Sequence, residues 1–215
     1  MKNTKTRVTG IVMFLLALFV AFIMIVPFVW MVSASFKLKK EIFSVPIRGI
    51  PETFHMDNYE TIMQKIPFPR YFFNTFKLTV SITALQVITC SMAAFAFSKL
   101  HFPGRDKLFL AYLGTMMVPW HAIMIPQFIV IQKLGLYDNH LSLILTGAFN
   151  VFGVFILRQN MLSIPDSLCE AAKIDGCGPV GIFMKIVLPL TKSGLATLII
   201  LTFNNVWNDY MGPMI

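Results

Sequence analysis

The chain has 215 residues, 56% of them hydrophobic and only 13% charged, and a formal net charge of +8. Soluble domains run nearer a quarter charged, so a mean hydropathy of +0.71 excludes an ordinary water-soluble enzyme and points to an integral membrane protein. The basic residues gather in gaps between apolar runs, which fits topology control and anionic lipid headgroups rather than nucleic acid.

In chain order, MKNTKTRVTG leads into an apolar run from Ile11 to about Val32. That run is long enough to cross a bilayer and lacks an A-x-A-like cleavage site, so it reads as an uncleaved first span over about 10–33. A polar loop follows over 37–70, marked by Pro46, Pro51, Pro67 and Pro69. Further spans are expected at about 71–97, 108–131, 141–157 and 194–212, the third broken at Pro119 and Pro126. Residues 158–192 form a second large polar segment. The runs are continuously apolar and too long for barrel strands, and an open sheet cannot satisfy its backbone in lipid. The expected fold is therefore an all-α integral membrane protein, a polytopic helical bundle. Its two regions are 1–70, a first helix with an external loop, and 71–215, the core.

Lys and Arg counts set the orientation. An N-terminus inside the cell places Lys2, Lys5, Arg7, Lys99, Arg105, Lys107, Arg158, Lys173, Lys185 and Lys192 on the inner side. The outer side then holds the smaller set Lys37, Lys39, Lys40, Arg48, Lys65, Arg70 and Lys133. This puts 158–192 in the cytoplasm. Within it, Ser167 and Glu170 fit a capping box, and Gly176 suits a left-handed residue that ends a helix. A short helix is expected over 167–175. Gly178-Pro179 starts a second one, with Phe183, Ile186 and Val187 on its apolar face and Pro189 ending it. Ala171, Ala172 and Gly176 keep one surface low, and Glu170 and Asp175 leave charge near it. Such an element is either a capped connector or a docking surface.

The last span carries Asn204, Asn205, Asn208 and Asp209. Polar groups inside a span line a pathway or bond neighbouring helices. Asn204, Asn205 and Asn208 are candidates for a solute pathway, and Asp209 is expected at the outer interface. Cys90, Cys169 and Cys177 form no CxxC and read as small apolar fillers. No G-x-x-x-x-G-K-[ST], H-E-x-x-H or G-x-S-x-G occurs, and the four histidines are scattered. No catalytic residue, cofactor or metal is expected, and the chain is not expected to be an enzyme.

Glu170-Ala171-Ala172, Asp175-Gly176, Phe183, Ile186 and Leu188-Pro189-Leu190 together resemble the EAA loop of binding-protein-dependent ABC importer permeases. Cys177 stands where that pattern has Ala, and Ser193 where Pro often follows. FFNTFKLT (72–79), AFAFSKLHFPGRDKLF (94–109), MMVPWHAIMIPQFIVIQKLGLYDN (116–139) and WNDY (207–210) are similar to the carbohydrate-uptake subgroup. The likeness is to the second subunit, maltose-type or glycerol-phosphate-type, of a heterodimeric pair. The resemblance implies the type I importer fold, with five spans here of an expected six and an apparent C-terminal truncation. It implies a transmembrane subunit in a prokaryotic inner membrane that imports a sugar or related polar solute. The implied partners are a homologous second permease, a cytoplasmic ABC ATPase dimer that hydrolyses the ATP, an extracytoplasmic solute-binding protein and membrane lipid. Glu170, Ala171, Ala172, Asp175, Gly176, Phe183, Leu188 and Pro189 would then form the ATPase-coupling helix and its support. The alternatives are a permease for a non-sugar solute, or a truncated partner that binds the ATPase without transporting.

Overall fold

The structure is a computed structural model that describes residues 2–43, 49–51 and 53–214, with side chains from Thr9 onward. Pro46 and Arg48 lie outside the described residues, as do the side chains of Lys2, Lys5 and Arg7. The chain divides into two compact units, Met1–Arg70 and Tyr71–Ile215.

In the first unit, α1 (Lys2–Ser35) is one helix, with Pro27 inside it. Its apolar side chains from Ile11 to Val32 are exposed apart from the half-buried Trp30, as a lipid-facing surface should be. Two short helices follow, α2 (Lys39–Ile42) and α3 (Asp57–Lys65). The Asn58 amide donates to the carbonyls of Ser35 (3.0 Å) and Lys37 (2.9 Å), which satisfies acceptors left at the end of α1. Phe36 packs against Phe54 and Tyr59 beside it.

The second unit is built on α4 (Phe68–Lys99), the longest helix among its described residues. Next come α5 (Arg105–Gly114), a 3-10 turn at Thr115–Met117, and α6 (Trp120–Lys133). The third span, expected to break at Pro119 and Pro126, is two helices bent by 96°. Val118 is extended (φ −79°, ψ 114°) because it precedes Pro119, itself extended at the start of α6. Pro126, also expected to break the span, stays inside α6. A proline within a membrane helix is tolerated where neighbours absorb the freed carbonyl.

The fourth span is interrupted too. It comprises α7 (His140–Gly147) and α8 (Val151–Leu162). Asn150 caps α8, its Oδ1 accepting from the Gly153 N–H at 3.0 Å. After α8 come α9 (Asp166–Ile174), α10 (Pro179–Ile182), a π turn at Phe183–Val187, and α11 (Leu188–Leu190). The chain then bends by 77° into the last pair, α12 (Lys192–Trp207) and α13 (Met211–Met214). Among the described residues three helices are long and apolar enough to cross a membrane, or up to five counting each bent pair as one span.

One core runs through this unit. Cys90, Ala94 and Phe95 of α4 meet Val154, Leu157 and Met161 of α8, Leu198 of α12, and Cys169, Ala172, Ile182 and Val187 of the 158–192 segment. The polar segment is therefore half core. α9 buries Cys169 and Ala172 and α10 buries Ile182 in the bundle, while α11 buries none of its residues.

Candidate functional site

The first candidate feature is the hairpin of α9 and α10. Ser167 and Glu170 do not form the expected capping box. The helix starts one residue earlier, at Asp166, with the extended Pro165 as its cap and no side-chain cap bond. Its end is as read. Gly176 is left-handed (φ 81°). The Cys177 N–H donates to the Ala172 carbonyl at 2.9 Å and the Gly176 N–H to Lys173 at 3.0 Å, the two bonds of a Schellman motif. Gly178 and Pro179 then open α10.

This geometry divides the motif residues between two faces. Cys169 and Ala172 are buried. The Phe183 ring lies 5.2 Å from that of Phe95 on α4. Glu170, Ala171 and Asp175 are exposed, and beside them Leu168, Ile174 (87% exposed) and Val180 (75%) also face outward. Leu188 is half-buried and Pro189 exposed. Pro189 does not end the helical run, which continues to Leu190. The π turn before it takes up the lost N–H, with the Leu188 N–H reaching back to Phe183.

The start of α9 is tied to the end of α4. Lys99, whose side chain is only 3% exposed, donates through Nζ to the Ile164 carbonyl and to Asp166 Oδ1, both at 2.6 Å. The hydrogen bond and charge of Lys99 hold the Asp166 carboxyl below its usual range. That contribution is present above the ordinary aspartate pKa and is lost as pH falls through the lowered value. Arg158 of α8 braces the same end. Its Nε donates to the Phe97 carbonyl at 3.1 Å, and its guanidinium lies 4.1 Å over the Phe109 ring.

The second feature is a cavity of about 890 Å³ among α4, α6, α7, α12 and α13. That is the size of a small-molecule site. Its polar lining includes Thr75, Gln86, Gln127, His121, Asn205 and Asp209, with Trp120 and Tyr137 as aromatic walls. Asp138 contributes a second carboxylate, and among the described residues no Lys or Arg lines it. Gln86 also reaches into the bundle. Its Nε2 donates to the Gly147 carbonyl at 2.7 Å, and its Oε1 accepts from Asn150 at 3.1 Å and Thr202 at 2.8 Å. Thr89 donates to the Ala148 carbonyl at 2.6 Å. Side chains of α4 thus satisfy the carbonyls freed by the break between α7 and α8, as lipid-embedded backbone requires.

Residues 86–214 match the family model of the binding-protein-dependent transport system inner membrane component. The chain belongs to this family. The permease is 36% identical over 96% of its length to the polygalacturonan/rhamnogalacturonan transport system permease protein YtcP of Bacillus subtilis (strain 168), covering 72% of that protein. It is 32% identical over 97% of its length to the sn-glycerol-3-phosphate transport system permease protein UgpE of Escherichia coli O6:K15:H31 (strain 536 / UPEC), covering 73% of it. Among solved structures, a chain of a bacterial ABC transporter involved in the import of the acidic polysaccharide alginate superimposes with a TM-score of 0.84. Identity there is 29%, over 95% of the permease and 72% of that chain. The fold is that of a type I ABC importer permease.

Of the polar residues singled out in the permease's last span, Asn205 lines the cavity, and Asn204 and Asn208 do not. Asn208 donates instead to the Asn204 carbonyl at 2.7 Å. Asp209, expected at an outer interface, lines the cavity, and its Oδ1 accepts from the Gly212 N–H at 3.0 Å. Gln86, Gln127 and His121 were not singled out from sequence. Gln86 was the one with a signal, an amide in the middle of an apolar run.

Gly153 lets α8 approach both neighbours. A Cβ there would sit 2.7 Å from Leu198 Cδ1 and 3.0 Å from Cys90 Sγ, both buried. Gly153→Val is expected to destabilise the permease by about 1–3 kcal/mol through overpacking. Gly114→Ala, with nothing within 4 Å, is the control. The check is the unfolding midpoint of each purified variant in detergent.

Proposed function

We propose that this permease moves a sugar or sugar-like polar solute through the cavity beside Gln86, driven by a separate ATPase that docks on the α9–α10 hairpin. The relatives named above are transport permeases for polysaccharides and for a sugar-alcohol phosphate. The cavity suits the hydroxyls of those solutes and not their negative charge. Amides and carboxylates exchange hydrogen bonds with hydroxyls, and aromatic faces cover the apolar side of a sugar ring. Two carboxylates, with no Lys or Arg in the lining among the described residues, favour an uncharged solute over an anionic one, since like charges repel strongly at low dielectric.

The observation that carries the coupling reading is the outward face of α9. Ile174 of α9 and Val180 of α10 are exposed on an otherwise polar hairpin, and exposed apolar surface rimmed by polar residues is the kind a protein partner covers. Asp175 at the helix end opposes the helix dipole, so local stability does not account for it. Glu170, Ala171 and Asp175 form the docking face. Ala172 and Phe183 hold it to the core, and Leu188 and Pro189 support it from behind. The hairpin lies in the cytoplasm, the N-terminus is inside, and a second permease, an ATPase dimer and an external binding protein complete the importer. ATP binding closes the ATPases, and the hairpin moves with them and reorients the cavity. The test is uptake by vesicles holding the reconstituted importer. An uncharged oligosaccharide should compete with the transported solute, and its uronate counterpart should compete about tenfold less well. Equal competition would remove the charge preference. Uptake without ATP would remove the coupling.

A further inference from the structure

We infer that Lys99 is the positioning residue through which motion of the α9 hairpin reaches α4 and the cavity wall. The inference rests on the coupling reading of α9.

Three kinds of route lead from α9 into the bundle. The chain runs back into α8 and on through α10 and α11 into α12, and the apolar packing of Cys169, Ala172 and Phe183 meets α4 through the core. The third, and the one with fixed direction, is the Lys99 bond pair to Ile164 and Asp166, the residues just before and at the start of α9. These bonds are not needed to keep α9 on the bundle, because Cys169 and Ala172 are already buried in its core. What they fix is direction. They pin the first turn of α9 to the last turn of α4 and leave the Gly176 end exposed. A push on the exposed end is then levered about Lys99. The continuous helix α4 carries Gln86 in the cavity wall, and Gln86 lies about 20 Å from Lys99 at 1.5 Å per residue. Lys99 therefore stands where a displacement of the hairpin becomes a displacement of the wall.

The chemistry suits a lasting linkage. A buried ammonium holds its position only while its partners are in place, so Lys99 ties the ends of both helices as one element. Met has nearly the same volume and no charge. Lys99→Met removes both bonds without leaving a cavity or an unpaired buried cation. Asp166, 70% exposed, stays solvated, and the buried Ile164 carbonyl loses a side-chain donor that Lys99→Arg would restore.

The experiment uses the intact importer in vesicles, with its partner permease, ATPase and binding protein, and measures solute moved per ATP hydrolysed. For Lys99→Met the ratio is expected to fall about tenfold, within the range of coupling between sites, while ATPase retention and unfolding midpoint stay near those of the unmodified protein. Lys99→Arg, which keeps the charge and donors, is expected to restore about half of the ratio or more. Asp166→Asn should fall between, and should add nothing to Lys99→Met. An unchanged ratio in Lys99→Met overturns the inference. So does a loss of transport matched by equal loss of retention and midpoint, the signature of a structural residue. If the unmodified chain retains no ATPase, the coupling reading fails and takes this inference with it. Failure of Lys99→Met alone leaves that reading standing.

Discussion

Gln86→Leu is expected to destabilise the second unit by about 2 kcal/mol and to depress uptake, the larger of the two polar-network effects. Leu fills nearly the volume of Gln, so no cavity opens. The loss is in hydrogen bonds. The Gly147 carbonyl loses its side-chain donor and Asn150 Nδ2 its acceptor. Thr202 loses an acceptor as well, but its hydroxyl can turn to the carbonyl four residues back in its own helix. Two orphaned groups therefore remain at the break between α7 and α8. In water each would cost about 1–3 kcal/mol, and interhelical bonds in membranes average about 0.6, which brackets the expected value. Thr202→Val should cost less than about 1 kcal/mol, because Gln86 keeps Asn150 and Gly147. The unfolding midpoints in detergent give the order directly. A Thr202→Val effect equal to that of Gln86→Leu would mean the network is not centred on Gln86.

The bundle was legible because lipid leaves few choices. Apolar runs of the right length point to five membrane regions, and among the described residues three helices, or up to five counting each bent pair as one span, are long and apolar enough to cross. The internal breaks were less legible. Pro119 and Pro126 look alike as sequence, yet only Pro119 turns the chain. Pro119 stands at the cap of α6 with the extended Val118 before it, whereas Pro126 lies within the helix. The break before Val151 was missed because Ala-Phe-Asn reads as apolar span, and what stabilises it, Gln86 and Thr89, sits some 60 residues away. In the hairpin, Gly176 was readable because a left-handed residue has a local cause. The start of α9 was misread by one residue because the partner of its first turn is Lys99, not Ser167. Local rules predicted local geometry, and the sites built across helices needed the fold. The cavity is the clearest case. A spacing of four puts Asn205 with Asp209 and Asn204 with Asn208 on adjacent helix faces, but which pair faces the cavity depends on how α12 is rotated against α4.

Gly176→Val should lower retention of the ATPase about tenfold, while Gly176→Asn should keep most of it. The reason is backbone geometry alone. A Cβ on Gly176 would meet nothing within 4 Å, so a side chain there clashes with nothing in this chain. Its φ of 81° is another matter. A β-branched residue resists the left-handed region by roughly 1–2 kcal/mol or more, whereas Asn visits it routinely. Val must therefore either accept the strain or relax φ. Relaxing it breaks the bonds from Cys177 to Ala172 and from Gly176 to Lys173, and α10 swings relative to α9. Ile174, Asp175 and Val180 then no longer share one face. The start of α9 is held independently by Lys99, so the damage stays at the exposed end. Cys169 and Ala172 before the bend and Ile182 and Val187 after it keep both helices on the core, so the unfolding midpoint should fall by no more than the strain of about 1–2 kcal/mol. Retention is read by co-purification with the ATPase, and the two variants separate the causes. If Asn fails as Val does, the requirement at Gly176 is for space against the partner and not for a left-handed backbone. If both retain the ATPase fully, the hairpin is not the docking face.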